Sequence, residues 1–263
     1  KQKFKQYFAN PLSLRFPLID PDAFLTFLVG GMRAWARYLW LVIWLGLMVL
    51  GGVTLSMHWD ALTEDITAKA FTPEYLLLLW LAFPVLKAIH ELGHGIAIKL
   101  FGGQCHEMGV MLLVLMPIPY VDAGASNGFA NKWQRMMVGA AGMMIELAVA
   151  ALALWVWSWI QPGIVKSFLH EIVIIAGIST ILFNINPLLR LDGYYILADW
   201  LEIPNLGQKA NQYVGYLAKR YLLAMKSDQS RPALSAGEAP WLFGYSMRSE
   251  EHTSELQSLS HVV

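Results

Sequence analysis

The sequence predicts an all-α polytopic membrane protein with about four transmembrane helices. Three observations predict it. The 263-residue chain is 56% hydrophobic and only 14% charged, a balance foreign to soluble globular domains. Several uncharged runs are long enough to cross the ~30 Å hydrocarbon core of a bilayer as helices. Some of its 11 tryptophans lie near the ends of such runs; Trp155, Trp157 and Trp159 read as an interfacial belt rather than a ligand cage. The formal net charge is zero, so no nucleic-acid partner is suggested. The single cysteine, Cys105, can close no internal disulfide and builds no cysteine metal site, and it reads as an ordinary small residue.

Residues 1–33 are polar and aromatic, with Lys1, Lys3, Lys5 and Arg15 interleaved with Phe, Pro and Asp. That mixture is no signal peptide and reads as a cytoplasmic or interfacial lead-in within a longer protein. Residues 34–57 supply an accessory transmembrane helix, its uncharged run Tyr38–Met57 following Arg33 and Arg37. Basic residues before it and Asp60, Glu64 and Asp65 after it place the N-terminus in the cytoplasm and the 58–72 loop outside. A second span covers Pro73 to Leu100 and returns inward.

Phe101-Gly102-Gly103 then breaks the helix, and the apolar stretch within Gln104–Val121 is too short to span and is interrupted by Pro117 and Pro119. A short hairpin or re-entrant element is expected there. His106-Glu107 lies in it, with no second histidine at metal-binding spacing, and reads as non-catalytic. Lys132 and Arg135 precede a third span, Met136–Ile160, whose Gly139-Ala140-Ala141-Gly142 start suits close helix packing. Glu146 follows in the same span, either as a functional acid or as the partner of a neighbouring helix. A fourth span, from about Ile172 to Leu189, runs back toward the cytoplasm. Residues 202–247 read as a cytoplasmic-side amphipathic segment. Residues 248–263 have no apolar periodicity and resemble the in-frame translation of a sequencing-adapter oligonucleotide, so that tail, with His252 and His261, is set aside as non-biological.

The chemistry gathers at His90-Glu91-Leu92-Gly93-His94, which reads H-E-x-x-H. Helical residues four apart share a face with Cβ atoms roughly 5–6 Å apart, so both imidazoles can reach one metal ion. Glu91 then stands beside that metal, placed to accept a proton from an attacking water. The bland alternative is a buried polar cluster without metal. Ionisable groups in an apolar span are costly, which favours the functional reading. A catalytic zinc commonly takes three protein ligands, and Asp192 supplies a third candidate. Pro187 disfavours a continuing helix, so Asp192 is expected on an unwound segment at the membrane depth of the histidines. Alone, Asp192-Gly193 would read as an ordinary turn.

Together, His90-Glu91-x-x-His94 and Asn184-x-x-Pro187-x-x-x-x-Asp192-Gly193 resemble the site-2 protease family of intramembrane zinc metalloproteases. The wording Asn186-Pro187-Leu-Leu-Arg-Leu-Asp192-Gly193-Tyr-Tyr is closest to the bacterial branch of peptide zinc metalloproteases. The resemblance covers about residues 73–201. It implies a three-helix metalloprotease core there, with His90, His94 and Asp192 as ligands of one zinc ion and Glu91 as general base. It further implies Asn184 and Pro187 as substrate-positioning residues, and a hairpin that presents an extended peptide by strand addition.

A membrane-associated peptide or protein is the implied substrate and the bacterial cytoplasmic membrane the implied location, with the motifs toward the cytoplasm. One departure stands out: Glu146 occupies the place where family members commonly carry asparagine in a Gly-Pro-x-x-Asn motif. Glu146 and Asn186 are therefore accessory candidates. The alternative function is a non-proteolytic export or maturation partner whose zinc site is structural or degenerate.

Overall fold

The computed structural model describes residues 13–31, 34–64, 72–113, 116–217 and 238–245. The tail 248–263, residues 1–12 of the lead-in and much of 202–247 lie outside them. The chain divides into two units, Lys1–Ile185 and Asn186–Val263.

The first unit begins with β1 (Ser13–Ile19) and α1 (Asp22–Val29), followed by α2 (Ala34–Thr63), α3 (Pro73–Leu100), β2 (Met108–Leu113) and β3 (Met116–Val121). It continues with α4 (Lys132–Trp159) and α5 (Ile164–Gly177), which runs on as a π-helical turn over Ile178–Asn184. Four of these helical stretches are long and apolar enough to cross a membrane: Leu39–Thr63, Pro73–Leu100, Lys132–Trp159 and Ile164–Asn184. This is a membrane protein. α3, α4 and α5 pack pairwise on one another, and α2 packs along α4.

Local chemistry sets the ends of the helices. Thr72 caps α3, its hydroxyl accepting from the Tyr75 N–H, and Pro73 fills a first-turn position where no amide proton is needed. Asn131 caps α4 by accepting from the Trp133 N–H at 2.9 Å. In lipid the helices associate through van der Waals contact rather than the hydrophobic effect, so small residues decide where backbones meet. A Cβ on Gly93 would lie 2.8 Å from the Ala141 carbonyl oxygen and 3.1 Å from the Gly142 Cα, so α3 and α4 cross there in backbone contact. Around the crossing the interior is aliphatic, with Ala82, Leu86, Ile175 and Ala176 in one cluster and Ala97, Ile98 and Val138 in another.

The fourth span differs from its expected bounds. It starts at Ile164 rather than near Ile172 and ends at Asn184 rather than Leu189, because Pro187 cannot supply the amide proton that a continuing helix needs. The third span starts at Lys132, four residues ahead of the expected Met136, because its cap is Asn131.

A larger departure from an all-helical fold is a three-stranded antiparallel sheet in the order β1-β2-β3. Within Gln104–Val121, β2 and β3 pair antiparallel, with Met108 opposite Val121 and Leu113 opposite Met116. The third strand comes from residues expected to be a lead-in: Leu14 pairs with Leu112 and Phe16 with Val110. Pro17, opposite Gly109, hid this strand in the sequence, yet its missing N–H falls on the side facing away from β2.

In the second unit, α6 (Asp192–Leu201) and α7 (Leu206–Leu217) pack with a helical segment at 238–245 around Tyr194, Ile203, Leu206, Ala210 and Leu242. Asp192 opens α6 as its first helical residue instead of standing on unwound chain; the irregular backbone lies just before it, at 185–191.

Candidate metal centre

The H-E-x-x-H helix brings its two histidines together on the face that meets α4. Both are buried, at 4% and 6% exposure, and their Nε2 atoms lie 3.1 Å apart. What holds them is on α4. The His90 Nδ1 meets a Glu146 carboxylate oxygen at 2.6 Å, and the His94 Nδ1 meets the Val138 carbonyl oxygen at 2.7 Å. A carbonyl can only accept and a buried carboxylate accepts in preference, so each Nδ1 carries a proton and donates it. Each Nε2 in the neutral ring is then a lone pair, and the two lone pairs face one another.

Two neutral rings so placed repel unless a proton on one Nε2 or a metal ion held by both stands between them, and the donor set fits a metal. Ligating histidines characteristically donate their second ring nitrogen to a carboxylate or a backbone carbonyl, and here one does each. Space is reserved as well: a Cβ on Gly142 would lie 2.5 Å from both Nε2 atoms, so glycine alone leaves that point open. One ligand atom from each of His90, Glu91 and His94 lies within 4.8 Å of the others.

Glu146 is wholly buried and is the hub of the surrounding charge. Besides His90 it accepts from the Lys87 ammonium at 3.1 and 3.3 Å and, at the limit of hydrogen bonding, from the Asn184 amide at 3.5 Å. Lys87 also donates to the Ser179 hydroxyl at 2.5 Å. A carboxylate this deep in an apolar bundle must be paired, and the ammonium pairs it. The π-helical turn explains how one helix end delivers two partners. It adds a residue to the turn, closed by the Ile185 N–H on the Thr180 carbonyl, and so aims both Ser179 and Asn184 at the Lys87–Glu146 pair.

The Glu91 carboxylate, with one oxygen within 4.8 Å of a nitrogen of each histidine, also reaches the sheet, where it accepts from the Val121 N–H at 3.1 Å. The parity of β3 follows from a neighbouring bond: the Asp122 N–H donates to the Glu107 carbonyl at 2.9 Å, so the even-numbered residues of β3 face β2. Pro117, Pro119 and Val121 therefore turn their carbonyls to the outer edge. Two of the three are prolines, so beyond the Val121 N–H that edge accepts hydrogen bonds without donating them.

The other sequence candidates fall as follows. Asn184 is brought to Glu146, its amide nitrogen 3.5 Å from the carboxylate. Asn186, Pro187 and Asp192 belong to the second unit, where the Asn186 side chain closes a turn by accepting from the Leu188 N–H at 3.0 Å. His106 is exposed against Asp20, and Glu107 accepts from the Tyr120 hydroxyl. Lys87 and Ser179 were missed. The signal for Lys87 was present, because it is a lysine inside an apolar span, three residues before His90 and hence on its face. Comparison of the chain with protein-family models, with curated proteins and with solved structures returned no match.

Proposed function

We propose that this protein is an intramembrane zinc metalloendopeptidase that hydrolyses a peptide bond of a membrane-associated protein or peptide. The observation that carries the reading is the pair of convergent imidazole nitrogens, 3.1 Å apart, each fixed through its other nitrogen. His90 and His94 would hold the zinc through Nε2, and Asp192 is the proposed third ligand, on the strength of the motif resemblance. A zinc ion held there supplies Lewis acidity, polarising a carbonyl and making water easier to deprotonate.

The chain's own residues do the rest. Glu91, immediately after the first ligand, accepts the proton of the attacking water and returns it to the leaving amine. Its hydrogen bond from Val121 keeps the carboxylate on the side of the sheet edge, so a peptide laid along β3 passes the base. Such a peptide would donate its N–H groups to the Pro117 and Pro119 carbonyls. Lys87 and Glu146 orient His90. The buried helix crossing limits water around the site. On this reading the motifs lie toward the cytoplasmic face of a bacterial inner membrane.

Glu91→Gln tests the proposal. The variant is expected to retain zinc and lose cleavage. Full activity would refute the role of Glu91, and cleavage absent from the wild type as well would favour a non-proteolytic membrane partner.

A further inference from the structure

Beside the end of α3, the first unit presents an apolar surface that none of the described residues covers. α1 has three sides. Leu25, 1% exposed, faces inward against Gly95, where a Cβ would lie 3.0 Å from its Cδ1. Asp22 and Thr26, four residues apart, form a polar strip. Phe24, Phe27 and Leu28, at i, i+3 and i+4, make the third side and are 53%, 83% and 41% exposed. Leu18 and Ile19, at the adjoining end of β1, are 64% and 61% exposed.

Both ends of α1 are tied to membrane spans. At its start the Asp22 carboxylate pairs with the Lys99 ammonium at 2.7 Å, in the last turn of the α3 span, and accepts the Cys105 N–H at 2.9 Å. At its other end Val29 is followed within a few residues by α2, whose membrane-spanning stretch starts at Leu39. The end of one span and the start of another mark the same face of a bilayer. A helix of eight residues, about 12 Å long at 1.5 Å per residue, cannot cross the membrane from there. It can lie along the boundary, which is where a short helix with one large apolar side and one polar strip is most stable.

We infer that α1, with the end of β1, is an interfacial helix seated on the bilayer, its Phe24, Phe27 and Leu28 side chains inserted at the boundary between lipid headgroups and acyl chains. The partner of this surface is lipid. Because the opposite side of α1 rests on Gly95, the residue after His94, the bilayer surface bears directly on the helix that carries both histidines. The inference does not depend on the metal or on peptidase activity.

Site-directed spin labelling of the full chain in phospholipid nanodiscs tests it, in a Cys105→Ala background. Nitroxides would be placed through Phe24→Cys, Phe27→Cys, Leu28→Cys and Thr26→Cys, with Val42→Cys on the exposed, apolar side of α2 as the lipid reference. The expected result is that positions 24, 27 and 28 collide with oxygen more than with a water-soluble nickel chelate, as position 42 does, while position 26 favours the chelate. Preferential collision with the chelate at 24, 27 and 28 would overturn the inference, placing that side in water. Protection from both reagents would overturn it too, by showing that protein covers the surface. Since all four α1 substitutions are at exposed positions of a helix held by Leu25 and Asp22, the labelled proteins are expected to remain folded, and unchanged size-exclusion behaviour would verify that.

Discussion

Replacing Gly142 by alanine probes the geometry at its tightest point. The added methyl would lie 2.5 Å from both Nε2 atoms and 2.7 Å from the His90 Cδ2, against an ordinary contact distance of 3.4 Å or more. The rings must therefore retreat by about 0.9 Å, or the helices must separate. Separation is resisted, because α3 and α4 touch backbone to backbone at Gly93, and the rings are pinned through Nδ1 to Glu146 and Val138. Metal–ligand distances tolerate about ±0.2 Å, so the displacement is several times what a zinc site absorbs. Overpacking itself costs about 1–3 kcal/mol. Zinc affinity is expected to fall by at least about 100-fold, the upper end of what perturbed outer-shell partners cost. Chelator competition on detergent-purified protein measures it, with Gly46→Ala as control, since a methyl there has nothing within 4 Å. A folded Gly142→Ala protein with wild-type zinc affinity would refute the argument.

Glu146→Gln is expected to weaken zinc binding by about 10–100-fold and to destabilise the fold by about 3–5 kcal/mol, because Lys87 loses the carboxylate that balances it. Lys87→Met added to that variant should recover thermal stability without recovering zinc affinity; a double variant no more stable than Glu146→Gln would contradict the pairing. The acceptor-only edge of β3 predicts that N-methylation of alternate residues in a cleaved peptide blocks hydrolysis at one parity and spares the other, and equal effects at both parities would exclude docking on that edge.

For α1, the Lys99 ammonium first, and the Cys105 N–H second, hold the Asp22 carboxyl below its ordinary value of 3.8. A depressed folded value means that the tie is complete above that ordinary value and is lost as the pH falls through the lower one. Nitroxide mobility at position 28 should accordingly stay low from neutral pH down to about pH 4 and rise below it. Asp22→Asn should raise it at neutral pH.

How much could be read in advance depended on the range of the interaction involved. The spans were legible because length and apolar composition are local properties, and His90, Glu91 and His94 because one helical period places them. Glu146 could be singled out as costly, but its partner could not be named: His90 is 56 residues away and meets it only through the helix crossing at Gly93 and Gly142. Lys87 lies at the middle of the Pro73–Leu100 span, and it turns inward to Glu146, a partner 59 residues away that only the packing of the helices brings to it. β1 was illegible for a different reason. Proline inside a short strand argues against pairing, and only the register with β2 shows that Pro17 needs no partner for the proton it lacks. The end of the fourth span was set by Pro187, which sequence reading located, but the π-helical turn ahead of it has no sequence signature.

The most direct test of the central proposal is the zinc content of the purified protein in detergent, measured beside His94→Ala and Asp192→Ala. Near one zinc per chain is expected in the wild type, with a marked loss in both variants. A well-folded wild type without zinc would contradict it.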